Sequence, residues 1–372
     1  MNVKLVITSA LMAAALLPAS ASAGTATFTN GAFSYTAAPG ESNYLIADVS
    51  DSCEALGSSP CFSLSDSANF TVVPPPGCVN QTFSAWWILC PIPQSVRIDA
   101  GDMLDTILDW NGPSTIDAGP GDDSVFGHGG NDAITGGEGA DDLLGGAGDD
   151  SVDGGPGADL MEAPISGYGI HETPGPDDSA GADTLVGGSG VDTVSYVLRT
   201  DALKVTMDGQ ANDGAPGERD RISNDVETVI GGQGNDLMIG SLRADALYGY
   251  AGDDNLRGGR GDDTLDGGPG QDVVAGDQGA DTVSGGHGQD VVDGGQGRDN
   301  IYGEYAVGCS FSEACIGGAD VLRAQDGERD LISCGVGTDR ALIDRVDIVR
   351  DIPGATECES MFVPRAKRGL RR

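Results

Sequence analysis

The sequence predicts an all-β chain: a parallel β-roll, or β-solenoid, of nine-residue repeats with disulfide-stapled β caps. Three observations lead there. A nine-residue unit recurs through the middle of the chain, with Gly at positions one, two and four, an acid at six and an aliphatic residue at eight. Glycine supplies 60 of 372 residues, roughly double the usual share of about 7%. Eight Cys fall in two clusters of four that flank the periodic region. Composition excludes several alternatives. With 58 acidic and 20 basic residues the net charge is −38, and such a surface repels phosphate and argues against nucleic-acid binding. Aromatics at 5% are too few to fill the cores of a compact two-domain enzyme of this length. Glycine does not fall at every third residue, so the chain is not collagen-like.

Residues 1–23 read as a secretory signal peptide. Lys4 gives the positive start, Leu5 to Leu17 the short apolar run, and Ala21-Ser22-Ala23 the small-residue cleavage pattern. Cleavage near Ala23 leaves an exported, secreted/extracellular chain, and no later stretch is apolar enough to span a membrane. The eight Cys (Cys53, Cys61, Cys78, Cys90, Cys309, Cys315, Cys334 and Cys358) suit an oxidising exterior. They read as structural disulfides with the connectivity open; sequential pairing is preferred because short loops close at low entropic cost. No CxxC spacing occurs, which disfavours redox catalysis and zinc.

Residues 24–97 alternate over Thr25–Tyr35 and Tyr44–Val49 between Pro/Gly breaks and predict a small Cys-containing β cap. Solenoids need such caps to hide their end coils. Trp86 and Trp87 are expected in its core rather than at an exposed contact.

Residues 98–195 hold the first repeat block. Units over 118–162 bring Asp123, Asp132, Asp141, Asp150 and Asp159 to position six. Residues 163–177, with three Pro and no period, read as a surface loop; its His171 and Glu172 lack a third catalytic partner. Units over 178–195 add Asp183 and Asp192.

Residues 196–230 form an inserted coil, with a strand expected around Leu203, Val205 and Met207. Asp208 to Gly214 resembles an EF-hand loop but lacks the acid or amide at its third position and the closing Glu. It is read as a turn, with an extra cation loop as the alternative.

The second block, 231–302, runs eight units without a gap and contributes Asp236, Asp245, Asp254, Asp263, Asp272, Asp281, Asp290 and Asp299. Unit 240–248 departs from the pattern with Ser241 and Arg243. Arg243 would need an unfavourable positive φ there, so a weaker or missing site is expected beside Asp245. Tyr250 and Asp277 occupy position two of their units, and Asp277 is a candidate extra ligand. Residues 303–364 are a Cys-containing closing segment, and the basic tail 365–372 reads as disordered, with an acidic cell surface as a conceivable contact.

The unit explains itself physically. Gly at three of the first four positions permits a tight turn. The last three residues suffice for a minimal strand whose middle side chain points inward. The inward set includes Val125, Ile134, Leu143, Val152, Leu265, Val274, Val283 and Val292. A solvated linker has no reason to keep an aliphatic residue at that position. Two units make one coil, so loops 18 residues apart stack and Asp lies above Asp at about 4.8 Å. The span 231–302 carries 13 Asp and 4 Arg, and a divalent cation between loops would relieve their repulsion. Oxygen-only ligands favour Ca²⁺ over Mg²⁺.

The unit matches the nonapeptide G-G-x-G-x-D-x-U-x and resembles the secreted bacterial hemolysin-type (RTX) calcium-binding repeat proteins. The resemblance implies multiple Ca²⁺, on the order of nine by gap counting, held by the position-six Asp and by carbonyls of two stacked turns. It also makes Cys334 with Cys358 the preferred bridge of the closing segment. The expected role is a secreted calcium-binding repeat protein whose β-roll folds on extracellular Ca²⁺, with a structural, adhesive or interaction function and a cell-surface or protein partner left open. The alternatives are a hydrolase with a calcium-repeat folding module, or a ligand-binding solenoid face. No HExxH or GxSxG occurs and only three His are present, so no enzyme is expected. Outward positions are too mixed for a regular binding array.

Overall fold

The computed structural model describes residues 24–40, 42–50, 61–66, 74–80, 87–161, 182–303, 319–335, 338–349, 358 and 360–362. The expected signal peptide at 1–23, Trp86, the expected loop 163–177 and the basic residues 365–372 lie outside the described residues. Short strands alternate with turns throughout, and no helix occurs among the described residues.

The strands stack into two facing walls. One wall is a 16-stranded sheet; the other is divided between two 8-stranded sheets. Pairing within the repeats is parallel and in register at position eight. Along the first wall Val125 pairs with Leu143 and Leu143 with Met161, then Leu247 with Leu265 and Leu265 with Val283. Along the other, Ile134 pairs with Val152, and Met238 with Leu256 and Leu256 with Val274. Two units therefore close one coil, as the period requires. The typical repeat strand presents one buried aliphatic residue between two outward neighbours. The whole expected inward set is buried, in one core that runs the length of the stack.

The N-terminal segment grows out of the same walls. Its strands are β1 (Thr25–Thr29), β2 (Ala32–Thr36), β3 (Tyr44–Ser50), β4 (Cys61–Asp66), β5 (Val79–Asn80) and β6 (Trp87–Cys90), followed by β7 (Ser95–Asp99) and β8 (Thr106–Leu108). β2 runs parallel to β7 and β3 parallel to β8. Beyond them pairing turns antiparallel: β1 on β2, then β4 on β3, β6 on β4 and β5 on β6. Parallel stacking thus ends in hairpins, which blunt the open edge. Phe33 and Phe62 meet at 5.0 Å, and Phe62 meets Trp110 edge-on at 5.7 Å, plugging the first coil with rings where the repeats use aliphatic residues. Cys78–Cys90 staples this cap, Cys334–Cys358 staples the far end, and Cys61 is also disulfide-bonded. Both of these pairs are the sequential ones; Cys53, Cys309 and Cys315 lie outside the described residues.

At the insertion the walls behave differently. The 16-stranded wall continues from Thr193–Ser195 directly to Thr228–Ile230. The opposite wall ends one sheet at Arg221–Ile222 and starts the next at Lys204–Thr206. Antiparallel bridges Lys204–Gly214 and Asp213–Asp220 and an Arg199–Glu218 ion pair at 2.7 Å occupy that junction. The EF-hand-like stretch is a turn: Asp213 accepts the Thr206 and Ile222 N–H groups, and Asp208 accepts that of Gln210. After residue 303, strands Val321–Ala324, Leu331–Ser333, Arg340–Ile343 and Ile348–Val349 extend both walls further.

Candidate metal centres

The position-six Asp closes each turn and immediately precedes the strand, so the buried aliphatic residue two places later fixes its direction. Its carboxylate turns into the loop. There Oδ1 accepts the main-chain N–H of the Asp one coil earlier. In one column Asp123 N–H donates to Asp141 at 2.9 Å, Asp141 to Asp159 at 2.9 Å and Asp159 to Asp192 at 3.1 Å. Further along, Asp245 donates to Asp263, Asp263 to Asp281 and Asp281 to Asp299. The other column runs Asp132 to Asp150 to Asp183, and Asp236 to Asp254 to Asp272 to Asp290. All fifteen Asp singled out in the sequence are buried and sit in these two ladders.

The second oxygen is the informative one. Oδ2 of Asp123, Asp132, Asp141, Asp150, Asp159, Asp192, Asp254, Asp263, Asp272, Asp281 and Asp299 is buried without a hydrogen-bond partner. The glycine at position one shows what surrounds it. A Cβ on Gly136 would lie 2.3 Å from Asp141 Oδ2 and 2.7 Å from the Gly154 carbonyl oxygen of the next coil. Carboxylate and carbonyl oxygens thus converge on one small space with no donor between them. Burial pushes these carboxyls up, hydrogen bonds to N–H groups oppose it, and neighbouring carboxylates add to it. Asp123, Asp141, Asp159, Asp192, Asp263, Asp281 and Asp299 rise to about 6. Asp132, Asp254 and Asp272 rise to about 7, and Asp183 to about 8. Asp150, Asp236 and Asp245 also rise, with burial the first cause. An anion among acceptors is costly unless a cation or a proton joins it. No three His, Cys, Asp or Glu side chains converge on a point among the described residues. A cation here would therefore draw on backbone carbonyls as well, an all-oxygen set that suits Ca²⁺.

Two acids differ. Oδ2 of Asp236 accepts the Gly232 N–H at 2.7 Å, and that of Asp245 accepts the Ser241 N–H. Ser241 Oγ also donates to Asp245, at 3.0 Å, and accepts the Arg243 N–H at 3.1 Å. This rebuilt turn corrects one expectation: Arg243 is not among the non-glycine described residues with positive φ, which are His128, Tyr250 and Asp277 at position two, with Met103 and Asn30 elsewhere. A second correction concerns Asp277. Its carboxylate makes a two-pronged ion pair with Arg257, at 2.7 and 3.0 Å, on the exposed face and is not an added ligand in the turn.

The ladders extend past the fifteen. Asp105 N–H donates to Asp123, Asp183 to Asp220, Asp192 to Glu227, Asp299 to Asp330 and Asp320 to Asp339. Asp105 lies 18 residues before Asp123 with Ile107 at position eight, a usable signal hidden by Met103 and Leu104 in place of the turn residues. Glu227, in Asp225-Val-Glu-Thr-Val-Ile230, reaches its rung through a longer side chain.

Two facing parallel walls joined by turns that carry buried carboxylate ladders define a repeat solenoid of the cation-binding class. The family model that matches is the RTX calcium-binding nonapeptide repeat, over residues 100–134, 111–143, 135–163, 177–195, 230–265 and 266–301. Those stretches carry that family's repeat, which supports a calcium-binding repeat protein. No curated protein matches it.

Proposed function

We propose that the chain is an exported protein whose repeats stay open where calcium is scarce and stack into the solenoid when they meet extracellular Ca²⁺. The observation that carries this is the run of buried, unpartnered Oδ2 atoms. Without a cation each rung opposes folding, and with one each rung favours it. An ion that binds only the folded chain contributes RT ln(1 + [Ca]/Kd), about 2.7 kcal/mol at a hundredfold excess over Kd. With about nine ions on neighbouring coils, the transition is steep. The signal-peptide pattern at 1–23 and the disulfides support export. The folded solenoid serves a structural, adhesive or interaction role rather than catalysis, and the absence of HExxH and GxSxG motifs supports this.

The test is a calcium titration of metal-free mature protein, followed by far-UV circular dichroism with magnesium as control. A steep gain of β signal with calcium alone is expected. A spectrum already β-rich in chelator and unmoved by calcium refutes gated folding.

A further inference from the structure

The turn over 109–117 breaks the repeat in a compensated way. It stacks 18 residues below the unit at 127, with Ile116 paired to Ile134. Position six holds Ser114 where the ladder has Asp, and position one holds Asp109 where most units have Gly. In the regular units a Cβ at position one points at the space that the unit's own Asp Oδ2 shares with the next coil's carbonyl; on Gly127 it would lie 2.7 Å from Asp132 Oδ2 and 2.3 Å from the Gly145 oxygen. A side chain at position one therefore delivers its carboxylate to the place that Ser114 is too short to reach.

The surroundings leave that carboxylate unanswered. Asp109 is 3% exposed, and neither of its oxygens has a hydrogen-bond partner. Ser114 does not supply one. Its hydroxyl donates to the Gly112 carbonyl and accepts the Trp110 indole N–H, both at 3.2 Å, while its N–H goes to Asp132 Oδ1. Asp132 Oδ2, one coil on, is equally unpartnered. Burial pushes the Asp109 carboxyl well above its usual range; the nearby Ser114 hydroxyl and Trp110 backbone oppose this, and the charge of Asp132 adds to it. Trp110 folds over the turn, its ring within 2.5 Å of where a Cβ on Gly112 would stand.

We propose that Asp109 and Asp132, with carbonyls of their two turns, hold a Ca²⁺ ion in a transposed site, in which the carboxylate comes from position one instead of position six. This rests on the calcium-ladder function proposed above. The site closes the Asp132 column on its N-terminal side, at the turn whose Trp110 packs against Phe62 of the cap.

Trp110 makes the site separately readable, because a terbium ion bound there takes excitation from the adjacent indole. Full-length mature protein is loaded with calcium and its bound metal counted by equilibrium dialysis; terbium emission on tryptophan excitation is read in parallel. Asp109→Asn, which keeps the shape and copies the protonated acid, is expected to bind one ion fewer and to lose the emission component that Trp110→Phe also removes. Asp109→Gly combined with Ser114→Asp restores the regular pattern and is expected to regain the ion that Asp109→Gly alone loses. If Asp109→Asn keeps the wild-type count and emission, a proton and not a cation occupies the site and the proposal is overturned. If the double variant stays as depleted as the single one, Asp109 acts on packing alone, which also overturns it. In both cases the regular turns still bind calcium, whereas wild-type protein that binds none overturns the ladder function as well.

Discussion

Replacing Gly139 by Ala tests whether close coil contact, rather than glycine flexibility alone, limits the stack. Gly139 has φ +147, and its new Cβ would stand 1.5 Å from the Gly121 carbonyl oxygen. Ordinary contact requires the two turns to part by about 1.9 Å, about two fifths of the roughly 4.8 Å coil spacing. Two turn hydrogen bonds lie in the path of that movement, Gly121 N–H to Glu138 at 2.7 Å and Gly139 N–H to Pro156 at 2.9 Å. Losing them costs about 1 kcal/mol each, and the backbone conformation costs a side chain about 1–3 kcal/mol more. The total is about 3–5 kcal/mol. Spread over about nine coupled ions, that raises the calcium midpoint for folding about twofold. Gly209→Ala is the matched control. It has φ +70 with nothing within 4 Å of the added carbon, so only the backbone cost of about 1 kcal/mol applies and the midpoint moves about 1.2-fold. Calcium titrations by circular dichroism separate the two. Equal midpoints for both variants would refute the close-contact account.

Three further outcomes are expected. Asp281→Asn should lower the bound-calcium count and raise the folding midpoint more than Asp245→Asn, because Ser241 already satisfies the Asp245 carboxylate; calorimetric titration of both variants checks this, and equal effects would count against it. In metal-free protein the ladder carboxyls titrate near 6 to 7 when folded, above the usual value of 3.8. Folding then takes up protons, so this contribution is fully present below 3.8 and is lost as pH rises through 7; β signal in chelator should grow from pH 8 to pH 5, and the calcium midpoint should rise over the same range as protons compete for the same oxygens. Replacing Cys334 and Cys358 by Ser opens a bridge of sequence separation 24, costing about 3–4 kcal/mol, and hydrogen exchange should show the loss concentrated in Arg340–Ile343 and its neighbours.

The walls were legible because one aliphatic residue in nine must face inward, and that constraint survives every change of turn residue. Val125 and Leu143 could be paired from their 18-residue spacing alone. The turns were less legible, because their interactions are made with atoms one coil away. Ser241 looks like a damaged glycine in sequence, yet in three dimensions it supplies the hydrogen bonds that satisfy Asp245 and spare Arg243 a strained backbone. Asp277 looks like a spare ligand, but Arg257 sits 20 residues earlier on the same exposed face and takes it. The three glycines also divide their work in a way composition cannot express. Many at positions two and four, such as Gly137 and Gly139, have positive φ, whereas Gly136 at position one makes room for a carboxylate. His128, Tyr250 and Asp277 show that position two tolerates a side chain in the left-handed region. Glu227 escaped notice because its turn lacks the glycines, and Asp105 because its turn keeps only Gly101, although strand spacing alone would have placed Asp105.

The unequal walls have a mechanical consequence. Hydrogen bonds between strands run across the strands, hence along the stack, and a pull between the two stapled ends loads every coil in series. Such a chain is as strong as its weakest junction. At 196–230 the 16-stranded wall carries the load through Thr193–Ser195 and Thr228–Ile230, while the other side has two antiparallel bridges and an ion pair in place of a ladder. Tension parts the molecule there first, yielding two shorter stacks, each retaining a stapled outer end and its own run of carboxylate rungs.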